Sequence, residues 1–133
     1  MAMTDPIADF LTRIRNALQV KHKTVDIPAS NLKKQMANIL YEQKFIKNYI
    51  VIDDGKQGII RIFLRYIPQT GESVIHELLR VSKPGRRQYV DVQNLPRVKN
   101  NMGIAILSTS RGLLTEREAR RQKVGGEVLC IIW

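Results

Sequence analysis

The sequence has a single cysteine, Cys130, among its 133 residues, so it forms no internal disulfide and suits a reducing compartment. The two histidines, His22 and His76, lie far apart, and with one cysteine they offer no metal-ligand spacing. No apolar run approaches the length of a membrane span, and the first residues lack the pattern of a secretory signal. These absences predict a cytosolic protein with no metal and no membrane partner.

Motifs for catalysis are missing as well. Ser108, Thr109 and Ser110 supply hydroxyls, but a hydroxyl nucleophile needs an adjacent base with an orienting partner. His22 and His76 lie in no recognisable motif, and the nucleophile-elbow and P-loop patterns are absent. We therefore expect no enzyme and no cofactor, and keep a small nuclease that uses either histidine as the less favoured alternative.

Positive charge is what the sequence has in excess. There are 22 lysines and arginines against 12 acidic residues, a formal net charge of +10, which attracts polyanions. The densest basic patch runs from Arg80 to Lys99, where Asp91 is the lone acid. Aromatic content of 6% argues against a stacking platform for single strands, so structured RNA is the favoured partner. A general RNA- or DNA-binding module is the alternative.

The first half of the chain predicts a helix, a strand, a helix and a hairpin. Thr4 or Asp5 can cap the first helix, and Ser30 or Asn31 the second, with the strand KTVDIPAS between them. Two β-rich runs then flank the turn DDGKQG. The Pro, Gly and Ser composition of IPQTGES is typical of a boundary between compact units.

The second half predicts a mainly β unit with one short helix. Strands are expected near 74–81 and 88–92, along GIAILST, and along the closing EVLCIIW. Thr115 and Glu118 form a capping-box pattern that predicts a helix start, with the helix ending at Gly125-Gly126. We therefore expect an α+β fold of two small α/β units, with domains at residues 1–67 and 68–133.

Two polar clusters are open to two interpretations each. The run STSRG, from Ser108 to Gly112, is either a strand end and loop whose hydroxyls satisfy local backbone groups, or a surface that contacts RNA. The turn SKPGRR is likewise either an ordinary solvated turn or a phosphate contact. Residue types alone favour the structural interpretation of STSRG, and the net charge of +10 raises the weight of the functional interpretation of both.

Four segments in order resemble one known family, the bacterial type of small-subunit ribosomal protein eight. They are DPIADFLTRIRNA from Asp5, ELLRVSKPGRR from Glu77, GIAILSTSRGLLTEREAR from Gly103 and VGGEVL from Val124. The resemblance covers essentially the whole chain. One departure is Asn101, where relatives often carry glycine; because asparagine tolerates left-handed backbone angles, we expect the turn to survive.

The resemblance implies what the protein binds. It implies two α/β units, of which the second supplies most contacts to the central domain of small-subunit ribosomal RNA, and a structural role early in subunit assembly. It also implies contacts with small-subunit proteins five and twelve, and binding to the messenger of the protein's own operon. We expect a cytoplasmic protein that is a monomer outside the ribosome.

The resemblance also assigns RNA-binding residues. The contacting loop comprises Ser108, Thr109, Ser110, Arg111 and Gly112, with Gly125, Gly126 and Glu127 close by. The neighbouring turn comprises Lys83, Pro84, Gly85, Arg86, Arg87 and Tyr89. Phosphate contacts on the first unit, for which a solvated face is an equal interpretation, are Thr4, Arg13, Arg15, Asn16, Lys33, Lys34 and Lys56. We expect the glycines to let backbone approach RNA, and Glu127 to accept from a base amino group.

Overall fold

A computed structural model describes residues 5–133, and the predicted Thr4 contact and cap lie outside them. The described chain contains three α-helices and eight strands in two antiparallel sheets, which confirms the α+β class. It forms two compact units, one of Asp9–His76 and one of Glu77–Trp133 together with residues 5–8. The division into domains at residues 67 and 68 stays a prediction.

The first unit contains helix α1 (Pro6–Gln19) from Asp9 onward, helix α2 (Asn31–Glu42) and three strands. The strands are β1 (Thr24–Pro28), β2 (Ile46–Ile52) and β3 (Ile59–Leu64). The strand order is β1-β3-β2. These elements confirm the predicted helix, strand, helix and hairpin.

Caps explain where these two helices begin. Asp5 Oδ1 accepts from the Ala8 amide at 3.2 Å, and Ser30 Oγ accepts from the Lys33 amide at 3.2 Å. On α1, Phe10, Leu11 and Ile14 are fully buried at helical spacing. The helix starts therefore follow directly from capping residues and apolar periodicity.

The second unit contains β4 (Leu78–Arg80), β5 (Tyr89–Val90), β6 (Ile104–Thr109), β7 (Gly112–Thr115), α3 (Glu116–Gln122) and β8 (Gly126–Ile132). The sheet order is β4-β8-β6-β7, and β5 also pairs with β8. Short 3₁₀ turns cover Val92–Asn94 and Lys99–Asn101. Strand β8 is central because three other strands pair with it, so the final segment of the chain organises this unit.

Three expectations for the second unit are corrected. Strand β4 is only three residues long, whereas 74–81 was predicted, because the Val74 amide donates to the Arg65 carbonyl of the first unit and only Leu78–Arg80 pair in register with β8. Strand β7 was not predicted, since STSRG was expected to continue as a loop. Helix α3 ends at Gln122, with Lys123 in the left-handed region at φ 58°, rather than at the glycine pair.

The predicted capping box at α3 is only half formed. Thr115 Oγ1 accepts from the Glu118 amide at 3.2 Å, as a helix cap should. The Glu118 carboxylate instead accepts from Gln122 Nε2 at 3.0 Å and lies 3.1 Å from Arg121 Nη1. The Glu118 carboxylate therefore serves side chains of its own helix rather than the Thr115 amide.

The core of the second unit contains two buried groups with unusual chemistry. Glu116 is fully buried, and its Oε2 accepts from the Ala105 amide at 2.9 Å. Cys130 is also fully buried, and desolvation raises the pKa of its thiol to about 12. The apolar cluster beside them is Leu95, Val98, Ala105, Leu107, Ala119 and Val128.

The turn before β6 confirms the tolerance expected of Asn101. Its φ is 69°, and Lys99 and Asn100 also have positive φ, at 48° and 53°. Asparagine occupies this left-handed region more readily than most residues with a β-carbon. The backbone therefore takes a shape that glycine would also allow.

Candidate nucleic-acid interface

The run STSRG forms the tip of a tight hairpin. Thr109 on β6 pairs with Gly112 on β7, which leaves Ser110 and Arg111 as the turn. Thr109 Oγ1 donates to the Gly112 carbonyl at 2.8 Å and accepts from the Arg111 amide at 3.0 Å. Gly112 has φ 94°, a conformation in which a side chain would be strained. Thr109 therefore shapes the hairpin, while Ser108, Ser110 and Arg111 are exposed.

A row of polar side chains crosses the sheet next to this hairpin. Glu127 on β8 pairs with Tyr89 on β5 and with Ser108 on β6. Residues paired across antiparallel strands present their side chains on the same face of the sheet. The residues before and after each of them in the chain present their side chains on the other face. The neighbours Leu107 and Val128 lie in the core, whereas Tyr89 is 69% exposed. The row therefore faces outward and extends the hairpin surface across three strands.

Glu127 is held in place by two donors. Its Oε2 accepts from Ser82 Oγ at 2.5 Å and from Arg87 Nη1 at 2.9 Å. Ser82 is fully buried and also accepts from the Gln88 amide at 3.0 Å, so its single hydroxyl proton goes to Glu127. Both hydrogen bonds are accepted by Oε2. If Glu127 accepts a hydrogen bond from a base amino group, as expected from the resemblance, the accepting atom is therefore Oε1.

The charge state of Glu127 follows from this environment. Burial by itself would raise the pKa of Glu127, but hydrogen bonds from Ser82 and Arg87, with the charges of Arg87 and Arg80, hold it below the ordinary 4.5. A carboxylate whose pKa is lowered on folding stabilises the protein above its unfolded pKa. This contribution is lost as the pH falls through the folded pKa.

We expect the free energy of unfolding to fall as the pH drops from about 5 to about 3, and to fall less steeply in Glu127→Gln. Urea titrations across this range measure the slopes. Glu72→Gln, at an exposed position, controls for the loss of one negative charge. Identical slopes for wild type and Glu127→Gln would contradict the assignment.

The basic turn SKPGRR joins β4 to β5 beside the same row. Lys83 and Arg86 exchange backbone hydrogen bonds of 3.1 and 2.9 Å, which fixes the turn around Pro84 and Gly85. Lys83 and Arg86 are exposed, whereas Arg87 is already paired with Glu127. Lys83 and Arg86 are therefore exposed to solvent, whereas the charge of Arg87 is shared with the Glu127 carboxylate.

The glycine pair before β8 is required by the fold itself. A β-carbon on Gly125 would collide with the Val90 carbonyl, and one on Gly126 would collide with the Ser108 carbonyl. A packing role therefore stands beside the expectation that these glycines admit RNA, which stays a prediction: the glycines let β5 and β6 approach β8. Gly112, by contrast, is needed for its positive φ.

The candidates on the first unit are dispersed over several elements. Arg13 Nε donates to Asp9 Oδ2 at 2.9 Å, and Asn16, three residues later, lines the same cavity as Arg13. Lys33 is buried with its Nζ 3.9 Å from Asp9 Oδ2, so it is directed into the fold rather than toward a ligand.

The three remaining cations of this set are more accessible than Lys33. Arg15 and Lys34 are half-buried on α1 and α2, and Lys56 is exposed in the β2–β3 turn. The first unit therefore brings Arg13 close to Asn16 and, through Asp9, to Lys33, whereas Lys56 lies in a separate turn.

One residue of the interface, Ser82, was not identified from the sequence. Ser82 carries the hydrogen bonds that orient Glu127, yet it lies in a turn-like run where serine is common. No spacing or composition signal marks a serine whose partner is 45 residues away. Among residues 5–133 there is no cluster of metal-ligating side chains and no helix long and apolar enough to span a bilayer.

Comparison with known proteins decides the family. The family model for ribosomal protein S8 matches residues 5–133. The chain belongs to the ribosomal protein S8 family. This membership confirms the resemblance found in the sequence and the ribosomal, cytoplasmic location predicted with it.

Curated members of the S8 family match over their full length. Small ribosomal subunit protein uS8 of Streptococcus equi subsp. zooepidemicus is 62% identical over 133 residues, all of both chains. The proteins of the same name from Clostridioides difficile and Geotalea uraniireducens are 59% and 57% identical, again over all of both chains. S8 is a family of ribosomal structural proteins, so the protein is placed among non-enzymes.

Proposed function

We propose that the protein is a structural constituent of the small ribosomal subunit that binds the central domain of small-subunit ribosomal RNA through its second unit. The observation that carries the proposal is the outward row of Tyr89, Glu127 and Ser108 beside the exposed turn of Ser110 and Arg111. The family match over residues 5–133 supports the ribosomal part.

The chemistry of this surface suits an irregular RNA helix. Serine hydroxyls donate to and accept from 2′-hydroxyls and base edges in the wide minor groove of RNA. Arg111, Lys83 and Arg86 supply positive charge for phosphates, which fixes the orientation of the protein without reading sequence. Oε1 of the fixed Glu127 carboxylate supplies a directed acceptor for a base amino group.

The proposal extends to the finer roles that the resemblance implies. These are early binding during subunit assembly, contacts with small-subunit proteins five and twelve, and binding of the same surface to the messenger of its own operon. No enzymatic step is proposed. The protein is proposed to be a monomer outside the ribosome.

Binding to ribosomal RNA fragments tests the proposal. The full chain is mixed with a fragment of the central domain and with an unrelated RNA duplex of equal length. Tighter binding to the central-domain fragment is expected at every salt concentration. Equal binding to both would overturn the specific proposal, preferred binding to duplex DNA would favour a general module, and cleavage of labelled RNA would favour a nuclease.

We expect Ser110→Ala to reduce the preference for the central-domain fragment about fivefold, because one net hydrogen bond contributes about 1 kcal/mol. The dependence of affinity on salt should change little, since a hydroxyl releases no counterions. Ser73→Ala, which removes a hydroxyl from the first unit, is the matched control. Equal weakening of cognate and unrelated RNA by Ser110→Ala would speak against a reading role for this hydroxyl.

A further inference from the structure

The first unit contains a cavity that the hairpin surface does not involve. It has a volume of about 360 Å³ and lies between the C-terminal half of α1 and the start of β1. Its lining residues are Arg13, Asn16, Ala17, Val20, His22 and Val25. Its size is at the lower end of small-ligand pockets, which measure about 300–1,000 Å³.

The lining combines an apolar part with planar polar groups. Val20 is 63% exposed, so the cavity presents apolar surface to water that a flat ligand would cover. Arg13 contributes a guanidinium, Asn16 a carboxamide and His22 an imidazole. Unstacked RNA bases are recognised in this way, by stacking on flat side chains and by hydrogen bonds to their edges.

The backbone at His22 and the side chain of Arg13 are held in place. The His22 amide donates to the Ala17 carbonyl at 2.9 Å, and the His22 carbonyl accepts from the Tyr66 hydroxyl at 2.5 Å. The Arg13 guanidinium is held by Asp9 at 2.9 Å. Because this backbone and this guanidinium are already positioned, the site loses less conformational entropy when it binds a ligand.

The surroundings of the cavity favour an anionic ligand. Lys21 and Lys23 flank His22 in the chain and are both exposed. The Asp9 carboxylate is paired with Arg13 and also lies 3.9 Å from Lys33 Nζ, so its charge is largely balanced. A phosphate that reaches this region therefore meets net positive charge.

We propose that this cavity receives a single unpaired nucleotide of RNA. The base covers Val20 and Val25, the Asn16 carboxamide bonds its edge, and Arg13 with the flanking lysines contacts phosphate. The inference rests on the proposed RNA binding and adds to it a contact in the first unit that requires a base, not only a backbone.

Amide chemical shifts of the full-length chain test the proposal directly. The chain is titrated with hexauridylate and, in parallel, with an abasic hexamer of the same ribose-phosphate backbone. We expect hexauridylate alone to shift the amides of Asn16, Val20, His22 and Val25, with both probes shifting lysine amides. Equal shifts of the cavity amides by the two probes would overturn the proposal, since no base would then be needed.

Paired variants separate this cavity from general charge effects. Val20→Asp should weaken hexauridylate binding about tenfold, because it places an anion inside the site, whereas Val51→Asp should have an effect of about twofold. Val51 is a fair match because it lies in the same unit and is 48% exposed. Equal effects of the two variants would refute the cavity as the site.

Binding of the central-domain fragment distinguishes the two proposals. If the fragment binds specifically but hexauridylate leaves the cavity amides unshifted, the nucleotide site alone is wrong. If the fragment fails to bind specifically while hexauridylate shifts the cavity amides, the proposed ribosomal RNA contact is wrong and the cavity stands. Asn16→Ala should lower hexauridylate affinity on the order of fivefold and leave the shifts of residues on β6 unchanged.

Discussion

Replacement of Glu116 by alanine is expected to lower the free energy of unfolding by about 2–3 kcal/mol. Glu116 is fully buried, and its Oε2 is the acceptor for the Ala105 amide at 2.9 Å. Alanine would leave this amide without its partner inside the protein, which costs the full desolvation of the group, and would leave a cavity besides. Urea-induced unfolding, followed by circular dichroism, measures the loss.

Two variants make the Glu116 result interpretable. Glu116→Gln keeps a carbonyl acceptor for Ala105 and nearly the same side-chain volume, so its cost should be about 1 kcal/mol or less. Glu118→Ala, on the same helix, removes partly exposed contacts with Gln122 and Arg121, and should also cost about 1 kcal/mol or less. If Glu116→Ala were no worse than Glu118→Ala, the buried hydrogen bond to Ala105 would not contribute the stability assigned to it.

The second large effect is expected at the glycine pair. Gly126→Ala should lower the free energy of unfolding by about 3 kcal/mol, at the upper end of the range for overpacked sites. Its β-carbon would collide with the carbonyl oxygen and the carbonyl carbon of Ser108. These are backbone atoms of a paired strand, so they cannot rotate away. Strands β6 and β8 would have to separate at the row that contains Glu127.

Gly55→Ala is the matched control for this substitution. Gly55 has φ 77°, but an added β-carbon there meets no atom within 4 Å. Its cost is therefore limited to backbone strain of about 1–2 kcal/mol. The larger loss in Gly126→Ala should be accompanied by weaker binding to the central-domain fragment, because Ser108 moves. A stable Gly126→Ala variant with unchanged binding would show that the strand contact tolerates the extra atom.

The first unit could be predicted well because its signals are local. Ser30 caps α2, apolar spacing marks the buried face of α1, and glycines mark the hairpin turn. Lys33 is the exception, since a lysine is normally assigned to solvent. Its position, three residues before Met36 and seven before Leu40, places it on the buried face, and this spacing was available in the sequence.

The second unit was harder because its strands depend on partners far along the chain. The short strand β7 has only the four residues GLLT, and its existence follows from pairing with β6 across a two-residue turn. The packing role of Gly126 becomes visible only when Ser108 lies against it. Residue chemistry suggested the polar hairpin, and family resemblance suggested its partner, but neither could reveal that Ser82 orients Glu127.

The buried cysteine has a practical consequence for work with this protein. With a pKa of about 12 and no exposed surface, the Cys130 thiol is closed to alkylating reagents and oxidants while β8 stays paired. Covalent dimers linked through Cys130 can therefore form only from molecules whose second unit has opened. The protein thus carries its own chemical reporter of that opening, on the central strand of the sheet that forms the proposed RNA contact.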